Sequence, residues 1–558
     1  MTTSAADAAP SVVSPEEKRK LRRIVFGTSA GTIFEAYDFI LFGSLAPVIS
    51  GHFFAAVNET AAFIFTLLTF AAGFAVRPLG ALVFGRMGDR TGRKRAFIIT
   101  ITLMGLSTFA IGLLPTYSSI GILAPILLIA LRMLQGLAYG GEYGGAVVYA
   151  AEHAPQHQRG LYVGWIQTAA GFALFMSFLV IFLTRSMIGE QVFVDWGWRI
   201  PFLISIALLI VSLWVRLTLE ESPLFKQMLA EGKNSKRPLS EAFLEWKNLR
   251  LVLLVLFGLM AIQGVLFYTA HFYSQFFLIQ ILKVDGATVT FIMMVVTAIS
   301  CLMYVFFSWL SDRVGRKLVI LTGTILATIT TFPLFHALTD AANPAVAAAQ
   351  QNAPVVVVAD PAECSLQFDP VGQAAFVSSC DIAKSTLARR GVSYSNESAV
   401  AGTPAVIMIG EARIESIEGR GMEPGALEQA RADFESELTS VLSSAGYPER
   451  ADSDEVNVFL VGLIIMLMVT FVVMVFAPMA TMAIEIFPTR IRYSALSLPY
   501  HIGSGWFGGF LPAIAFAMVA ATGDIYFGLW YPVIVAGVGA VVLGFLLSET
   551  KDRDIQRL

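Results

Sequence analysis

The chain has 558 residues, of which 56% are hydrophobic, 12% aromatic and only 14% charged. Soluble domains carry about 25% charged residues, so a soluble enzyme, a nucleic-acid binder and a disordered scaffold are all excluded. The formal net charge of −3 is close to neutral, and three Cys are too few for a disulfide framework.

Residues 1–23 are Ala/Ser-rich and then basic (Lys18, Arg19, Lys20, Arg22, Arg23), with no early apolar core or cleavage site, so they read as a tail and not as a secretory signal. A bilayer core needs about 20 mostly apolar residues per helix. Stretches of that kind lie near 24–48, 61–84, 96–114, 119–149, 161–184 and 200–217, then near 250–280, 288–310, 318–338, 456–479, 493–520 and 526–547. Basic residues cluster between the second and third spans (Arg86, Arg90, Arg93, Lys94, Arg95), between the sixth and seventh (Lys226 to Arg250) and between the eighth and ninth (Arg313, Arg316, Lys317). Loops on the other face are nearly bare of Lys and Arg, which places both termini in the cytoplasm.

The two halves repeat each other. Gly85-Arg-Met-Gly-Asp89-Arg90-Thr-Gly92-Arg93-Lys94 recurs as Ser308-Trp-Leu-Ser-Asp312-Arg313-Val-Gly315-Arg316-Lys317, and Glu152-x-x-Pro155-x-x-x-Arg159 recurs as Glu485-x-x-Pro488-x-x-x-Arg492. The two displacements are 223 and 333 residues, so the second half contains an insertion of about 110 residues, which is the polar stretch 339–455. Duplicated six-helix halves are typical of secondary transporters that bind substrate between the halves near the midplane. The predicted fold is an all-α membrane protein of twelve transmembrane helices in two six-helix halves, with a small α/β extracytoplasmic insertion. Its parts are a cytoplasmic tail (1–23), an N-terminal half (24–217), a cytoplasmic linker (218–249), helices seven to nine (250–338), the insertion (339–455), helices ten to twelve (456–548) and a second cytoplasmic tail (549–558).

The insertion holds 18 Asp/Glu against 7 Lys/Arg, so it carries −11 and the remainder of the chain +8. Pro354-Val-Val-Val-Val-Ala and Ala405-Val-Ile-Met-Ile read as short buried strands. The segment between Gly425 and Gly446 reads as an amphipathic helix with Leu427, Ala430, Phe434, Leu438, Val441 and Leu442 on one stripe. Cys364 and Cys380 both fall in this module, as a disulfide or as two free thiols. So acidic a cap would repel anions, which argues against a collecting funnel.

The loop Gly85-x-x-x-Asp89-Arg90-x-Gly92-Arg93-Lys94 resembles the signature of the major facilitator superfamily. Further segments are similar to its metabolite:proton symporter family: Phe34-Glu35-Ala36-Tyr37-Asp38-Phe39, Arg77-Pro78-Leu79-Gly80, Leu113-Leu114-Pro115-Thr116-Tyr117, Arg132-Met-Leu-Gln135-Gly136, Trp196-Gly197-Trp198-Arg199, Glu220-Glu221-Ser222-Pro223 and Phe487-Pro488-Thr489-Arg490. The likeness covers nearly everything but 1–23 and 339–455. Ala36 stands where that family usually has Trp, and Ser308 replaces the first Gly of the second loop. Members carry organic acids, shikimate-like compounds and zwitterions such as betaine, and a monomer is the expectation by resemblance.

An ionisable side chain at membrane depth is costly and by default a functional candidate. Asp38 and Glu35 lie one turn apart in the first span, and the fourth span offers Arg132 and Glu142. A carboxylate and an Arg that meet in the bundle offset each other's desolvation, and protonating the acid would release the Arg for an anionic substrate. In related sugar–proton symporters an Asp on span one and an Arg on span four are thought to work this way. Asp38 is therefore the expected proton carrier and Arg132 its partner, with Glu35 and Glu142 behind them; the alternative is that all four only brace helices. Tyr37, Tyr139, Tyr143, Gln167 and Trp165 from the first half, and Gln263, Tyr268, His271 and Tyr273 from the second, are candidate cavity residues. A lone His such as His271 is more often a packed core residue than a relay. Asp89, Arg90, Arg93, Glu152 and Arg159, with Asp312, Arg313, Glu485 and Arg492, are the expected cytoplasmic gate, held by exposed cross-loop ion pairs.

The Gly runs at Gly140–Gly145 and Gly503–Gly509 lack the Lys-Ser/Thr ending of a phosphate loop, and no metal-ligand spacing or catalytic constellation appears. No cofactor, metal or nucleic acid is expected; the partners are a small solute, protons and the lipid bilayer. The expected function is proton-coupled uptake of a small organic acid or zwitterion at the bacterial inner or plasma membrane. The alternatives are a facilitator or antiporter of another solute, such as a sugar or drug, and a transporter-derived sensor acting through the insertion.

Overall fold

The computed structural model describes residues 29, 33, 36–55, 57, 59–91, 93–140, 147–148, 151, 154–218, 241, 243–365, 377–488, 491–553 and 555. Among the described residues, helical segments fall at all twelve stretches that hydropathy marks. Eight are long and apolar enough to cross a bilayer: Ala61–Phe84, Gln156–Ile188, Trp246–Ile281, Gly286–Val314, Arg316–Ala342, Val458–Ile484, Ala495–Thr522 and Phe527–Leu546. The sixth is a pair, Glu190–Gly197 and Arg199–Trp214, bent by 64° within the Trp196-Gly197-Trp198-Arg199 motif. The third and fourth are the shorter apolar helices Ile98–Leu113 and Leu123–Tyr139, and the first is described from residue 36 to Phe53. Polar side chains set several ends. Asp285 accepts from Thr288 N at 2.9 Å to start the eighth span, and Asn457 accepts from Leu460 N at 3.0 Å to start the tenth.

Lipid gives helices no hydrophobic reason to associate, so close packing of small residues matters more. Gly136 of the fourth span is the sharpest case. A Cβ there would lie 1.7 Å from the carbonyl oxygen of Gly73, so only glycine lets the second and fourth spans approach this closely. The two halves meet chiefly along the fifth and eighth spans, and again where the second span meets the eleventh. The fifth–eighth seam is also glycine-built: a Cβ on Gly164 would come within 2.2 Å of Ser308 Oγ. Ser308, in place of the repeat's Gly, fills that seam and donates to Ala477 O at 3.3 Å.

The ninth span runs to Ala342, four residues past its expected end, and Asn343 then caps a new helix, Pro344–Asn352. The inserted module is a four-stranded sheet with helices Ser379–Arg389 and Pro424–Ser444. Its strands are β1 (Val355–Ala359), β2 (Tyr394–Ser398), β3 (Val406–Ile409) and β4 (Ala412–Glu415). The order is β2-β1-β3-β4, with β2 parallel to β1 and the other pairs antiparallel. Val355, Val357, Ile407 and Ile409 face a separate core, closed by Phe434, Leu438 and Leu442 from the amphipathic stripe. Cys364 and Cys380 are disulfide-bonded, with Cα atoms 5.2 Å apart.

The module is tied to the bundle by backbone. Tyr394 N and Asn396 Nδ2 on edge strand β2 donate to Gly523 O and Thr522 O at the end of the eleventh span, at 3.0 and 2.8 Å. Asn343 Nδ2 donates to Leu282 O at 3.1 Å, beside the end of the seventh span.

Candidate functional site

Midway through the bundle, Arg132 is fully buried on the fourth span. Its Nη1 donates to Gln135 Oε1 at 2.7 Å and to Phe39 O at 3.3 Å, and its Nη2 donates to Phe70 O at 3.4 Å. The guanidinium also lies over the rings of Phe39, Phe42 and Phe70, at 4.3, 4.6 and 5.3 Å. Gln135 Nε2 donates to Thr108 Oγ1 at 2.7 Å, and that hydroxyl, which donates to Met104 O at 3.0 Å, lies beside the Asp38 carboxyl. Asp38 is 6% exposed, and its Oδ1 makes no hydrogen bond. The expected direct pair is therefore absent: Asp38 and Arg132 form no ion pair, and Thr108 and Gln135 stand between them. Backbone carbonyls and an amide hold both terminal nitrogens of Arg132 without a carboxylate against them, while its buried Nε makes no hydrogen bond.

A second buried cation lies beside the first. Arg77, inside the second span where helix Arg77–Thr91 begins, is 3% exposed and sandwiched by Phe39, Phe74 and Tyr139 at 4.0, 4.2 and 4.1 Å from its Cζ. Aromatic faces stabilise a desolvated cation by their quadrupole, by about 2 kcal/mol or more in such settings. Arg132, Tyr268, Tyr500 and His501 are its charged or polar neighbours. Among the described residues, no carboxylate pairs with Arg77 or Arg132. The sequence shows Arg77 only as part of a motif, and the structure makes it a core residue.

His501 on the eleventh span escapes a reading by sequence altogether. It is fully buried, lies beside the Gly140 backbone, and neither ring nitrogen makes a hydrogen bond of good geometry. His271 is the opposite case. Its Nδ1 lies 3.0 Å from Phe267 O on its own helix, and its ring packs on Phe267 at 4.5 Å, a satisfied core histidine. Around both, the seventh and eleventh spans contain wide i→i+5 turns, at Thr269–Tyr273 and His501–Gly509. Such turns recur at functional sites.

The other candidates separate by their contacts. Tyr268 faces the second span through Phe74 at 5.3 Å and stacks on Phe272 at 5.3 Å. Gln263 is 1% exposed, with Oε1 unbonded, and Tyr273 is buried with its hydroxyl unbonded. Gln167 Nε2 crosses the halves to Phe476 O at 3.4 Å. Tyr37 donates to Pro201 O at 3.0 Å, so it braces the first span against the sixth and does not face a cavity. Trp165 is 51% exposed and faces outward. Glu35, Glu142 and Tyr143 lie outside the described residues.

At the end where the repeated motifs lie, charges from both halves meet. Glu485 Oε1 accepts from Arg159 Nη1 at 2.8 Å and from Arg316 Nη2 at 3.4 Å, and its Oε2 accepts from Thr550 Oγ1 at 2.7 Å. Asp312 Oδ1 pairs with Arg316 at 2.7 Å and accepts from Gly160 N at 2.8 Å, while Oδ2 accepts from Leu161 N at 2.8 Å. Arg159, Gly160 and Leu161 open the fifth span, whereas Asp312, Arg316 and Glu485 belong to the second half. Three features differ from the expected gate. The pairs are buried, with Glu485 and Arg316 at 0% side-chain exposure, so they are not exposed cross-loop pairs. Arg316 replaces Arg313, whose guanidinium stacks on Trp309 at 4.0 Å. Arg492 donates to Phe487 O and Ile555 O, at 3.1 Å each, and so holds the C-terminal segment. Glu152 lies outside the described residues, and of Asp89, Arg90 and Arg93 only the helical backbone is described.

At the opposite end Phe63 packs edge-on against Phe276 and Phe516, at 5.3 and 5.0 Å. Aromatic rings thus link the second, seventh and eleventh spans there, while buried charges link the two halves at the motif end.

The sequence pattern of the Major Facilitator Superfamily matches residues 28–359, and that of the "Sugar (and other) transporter" family matches 439–558. The gap between the two matches falls within the inserted module. The Shikimate transporter of Escherichia coli K12 is 38% identical over 324 residues, 57% of this chain and 73% of that protein. The Proline/betaine transporter of the same organism is 35% identical over 325 residues, 57% of this chain but only 64% of that protein's length. The xylose transporter XylE from E. coli, in a partially occluded inward-open conformation, superposes with a TM-score of 0.60 over 96% of this chain and 99% of its own, at 15% identity. At that identity the likeness shows the fold alone. With over half of its length under one family pattern, this multi-pass membrane protein belongs to the Major Facilitator Superfamily.

Proposed function

We propose that the chain is a proton-coupled symporter that takes up a small organic acid or zwitterionic metabolite by alternating access. The observation that carries this reading is the pair of buried guanidiniums, Arg77 and Arg132, with Asp38 buried on the first span but paired with neither. Such a core has an excess of one positive charge, and a substrate carboxylate supplies the missing negative one. Aromatic rings around both cations shape the cavity and accommodate the apolar or methylated part of a solute. Identity to transporters of shikimate and of proline and betaine favours the same solute class.

In this mechanism Asp38 takes the proton. Its carboxyl lies beside Thr108, whose Oγ1 holds Gln135 and through it Arg132, so protonating Asp38 alters the polar surroundings of that chain and lets it reorient toward an anion. Proton and substrate then enter together, which is the coupling a symporter needs. The buried network of Arg159, Asp312, Arg316 and Glu485 holds the motif end shut, and the Phe63–Phe276–Phe516 cluster shuts the other. Positive charge at the motif end places that end, and both termini, in the cytoplasm of a bacterial inner membrane. The protein works as a monomer.

The test is uptake of a panel of labelled carboxylates and betaines by cells or proteoliposomes, with and without a protonophore. At least one such solute accumulates against its gradient, and the protonophore abolishes that accumulation. Accumulation unaffected by the protonophore, or transport restricted to uncharged sugars, would refute the reading.

A further inference from the structure

The inserted module is strongly acidic, yet its basic residues are not scattered. Of its seven Lys and Arg, three (Arg389, Arg390 and Arg450) line one cleft at the junction with the bundle, and Lys283 at the end of the seventh span joins them. The cleft encloses about 520 Å³, within the range of small-molecule sites. Its lining holds four cations against two carboxylates, Glu435 and Glu449, a local balance of +2 inside a module of −11.

The geometry of the pairs leaves cationic capacity over. Glu435 is shared, at 3.2 Å from Arg389 and 3.8 Å from Arg390, and Glu449 lies 3.7 Å from Arg390. These carboxylates hold the two guanidiniums against the wall without saturating them: Arg390 Nε is buried and makes no hydrogen bond. Arg450 is exposed, and among the described residues it has no carboxylate within ion-pair distance. Lys283 Nζ donates to Arg389 O at 3.1 Å, which binds the end of the seventh span to this wall. Lys283 also has a left-handed backbone (φ 55°), alone among the described non-glycine residues, and its carbonyl accepts from Ala451 N at 3.3 Å. Non-glycine residues hold that conformation only where surrounding structure enforces it. Val57, from the loop between the first two spans, completes the lining, so the N-terminal half, the C-terminal half and the module all contribute.

We propose that this junction cleft is an anion-binding site, separate from the transport core, that takes a small oxyanion group, carboxylate or phosphate, on Arg389, Arg390, Arg450 and Lys283. Guanidiniums recognise such groups by paired charge-assisted hydrogen bonds. Two sources present that chemistry beside a membrane, a free solute anion and the headgroup of an acidic lipid. A bound anion bridges the module to the outer ends of both halves, and so stabilises the arrangement in which those ends are together.

The experiment uses the full chain in nanodiscs of neutral phosphatidylcholine, with thermal unfolding followed as citrate or inorganic phosphate is added. Three variants accompany it. R390Q/R450Q removes two cations, T439E keeps every arginine but places a carboxylate in the cleft, and R132Q disables the core. Citrate or phosphate raises the Tm of the unmodified protein and of R132Q, and its apparent affinity falls roughly tenfold or more in R390Q/R450Q and in T439E. If the source is lipid, the soluble anions act weakly, and phosphatidylglycerol in the nanodisc raises the Tm instead, again only while the cleft is intact. No stabilisation by citrate, phosphate or phosphatidylglycerol overturns the proposal. So does a shift that survives in both cleft variants, or one that R132Q abolishes.

Discussion

Glu485→Gln is the most informative single change at the motif end. Glu485 and Asp312 together balance Arg159 and Arg316, all four buried. Replacing Glu485 with Gln leaves two buried guanidiniums against one carboxylate, Asp312, a local balance of +1, and removes the 2.8 Å ion pair that joins Arg159 to the C-terminal half. Removing one partner of a buried pair costs about 3–5 kcal/mol. Opening the motif end hydrates the orphaned cation, so nearly all of that cost falls on the closed state. At about 1.36 kcal/mol per decade, the closed-to-open ratio drops by a factor of roughly 150 to 5,000. Conformers of such proteins differ by a few kcal/mol, so the population inverts. The assay is double electron–electron resonance between spin labels at Gln158 and Val314, exposed positions flanking the seam. Unmodified protein gives the short closed distance, and Glu485→Gln moves most of the distribution to a longer one. Arg159→Gln added to Glu485→Gln leaves the neutral Asp312–Arg316 pair and recovers much of the closed population. An unchanged distribution in folded Glu485→Gln protein would refute the electrostatic account of this gate.

Other expectations follow from the same structure. Gly136→Ala drives a methyl group to 1.7 Å from Gly73 O and must separate the second and fourth spans; it lowers stability by about 1–3 kcal/mol or more, read as a fall in Tm in detergent. Reducing the Cys364–Cys380 disulfide, which spans 16 residues, removes about 3 kcal/mol from the module; hydrogen exchange then accelerates in β1 and helix Ser379–Arg389 while the membrane spans are unchanged. At Glu549, burial pushes the carboxyl up, but backbone N–H donors of Arg316, Lys317, Thr550 and Lys551 outweigh it and hold it below its ordinary value of 4.5. A depressed carboxylate contributes stability that is present above its ordinary value and lost as pH falls through the folded one. Docking of the C-terminal segment therefore persists at neutral pH and loosens in acid below about pH 4.5, and Glu549→Gln loosens it at all pH values; limited proteolysis after Thr550 measures this.

The fold was largely legible because lipid imposes a simple rule, and spans, repeat and insertion all follow from long apolar runs and two displaced motifs. Within the module, β1 and β3 are apolar runs that announce themselves. β2 (Tyr-Ser-Asn-Glu-Ser) is not, since only Tyr394 is buried and its order comes from pairing with β1 and with the end of the eleventh span. The core was half legible. Asp38 and Arg132 stand out as ionisable groups in apolar sequence, but their separation by Thr108 and Gln135 depends on how spans one, three and four pack. Arg77 lies inside the expected second span but reads only as part of the Arg77-Pro78-Leu79-Gly80 motif, and its burial is set by Phe39, Phe74 and Tyr139 closing over it. The rule that draws attention to His271 applies equally to His501, yet only the three-dimensional surroundings separate a ring bonded to its own helix from one with both nitrogens unpaired. At the motif end, the sequence shows Arg316 only as one of the basic loop residues that set topology. The helix that begins at Arg316 turns it inward onto Asp312 and Glu485.

The central claim is that protons and a carboxylate-bearing solute move together through Asp38 and Arg132. Its most direct measurement is the pH change inside lightly buffered proteoliposomes when an accumulated solute from the uptake panel is added outside. The account predicts solute-dependent proton influx that Asp38→Asn abolishes, while the variant still exchanges labelled for unlabelled solute. Solute entry without proton influx, or proton influx that persists undiminished in Asp38→Asn, would contradict it.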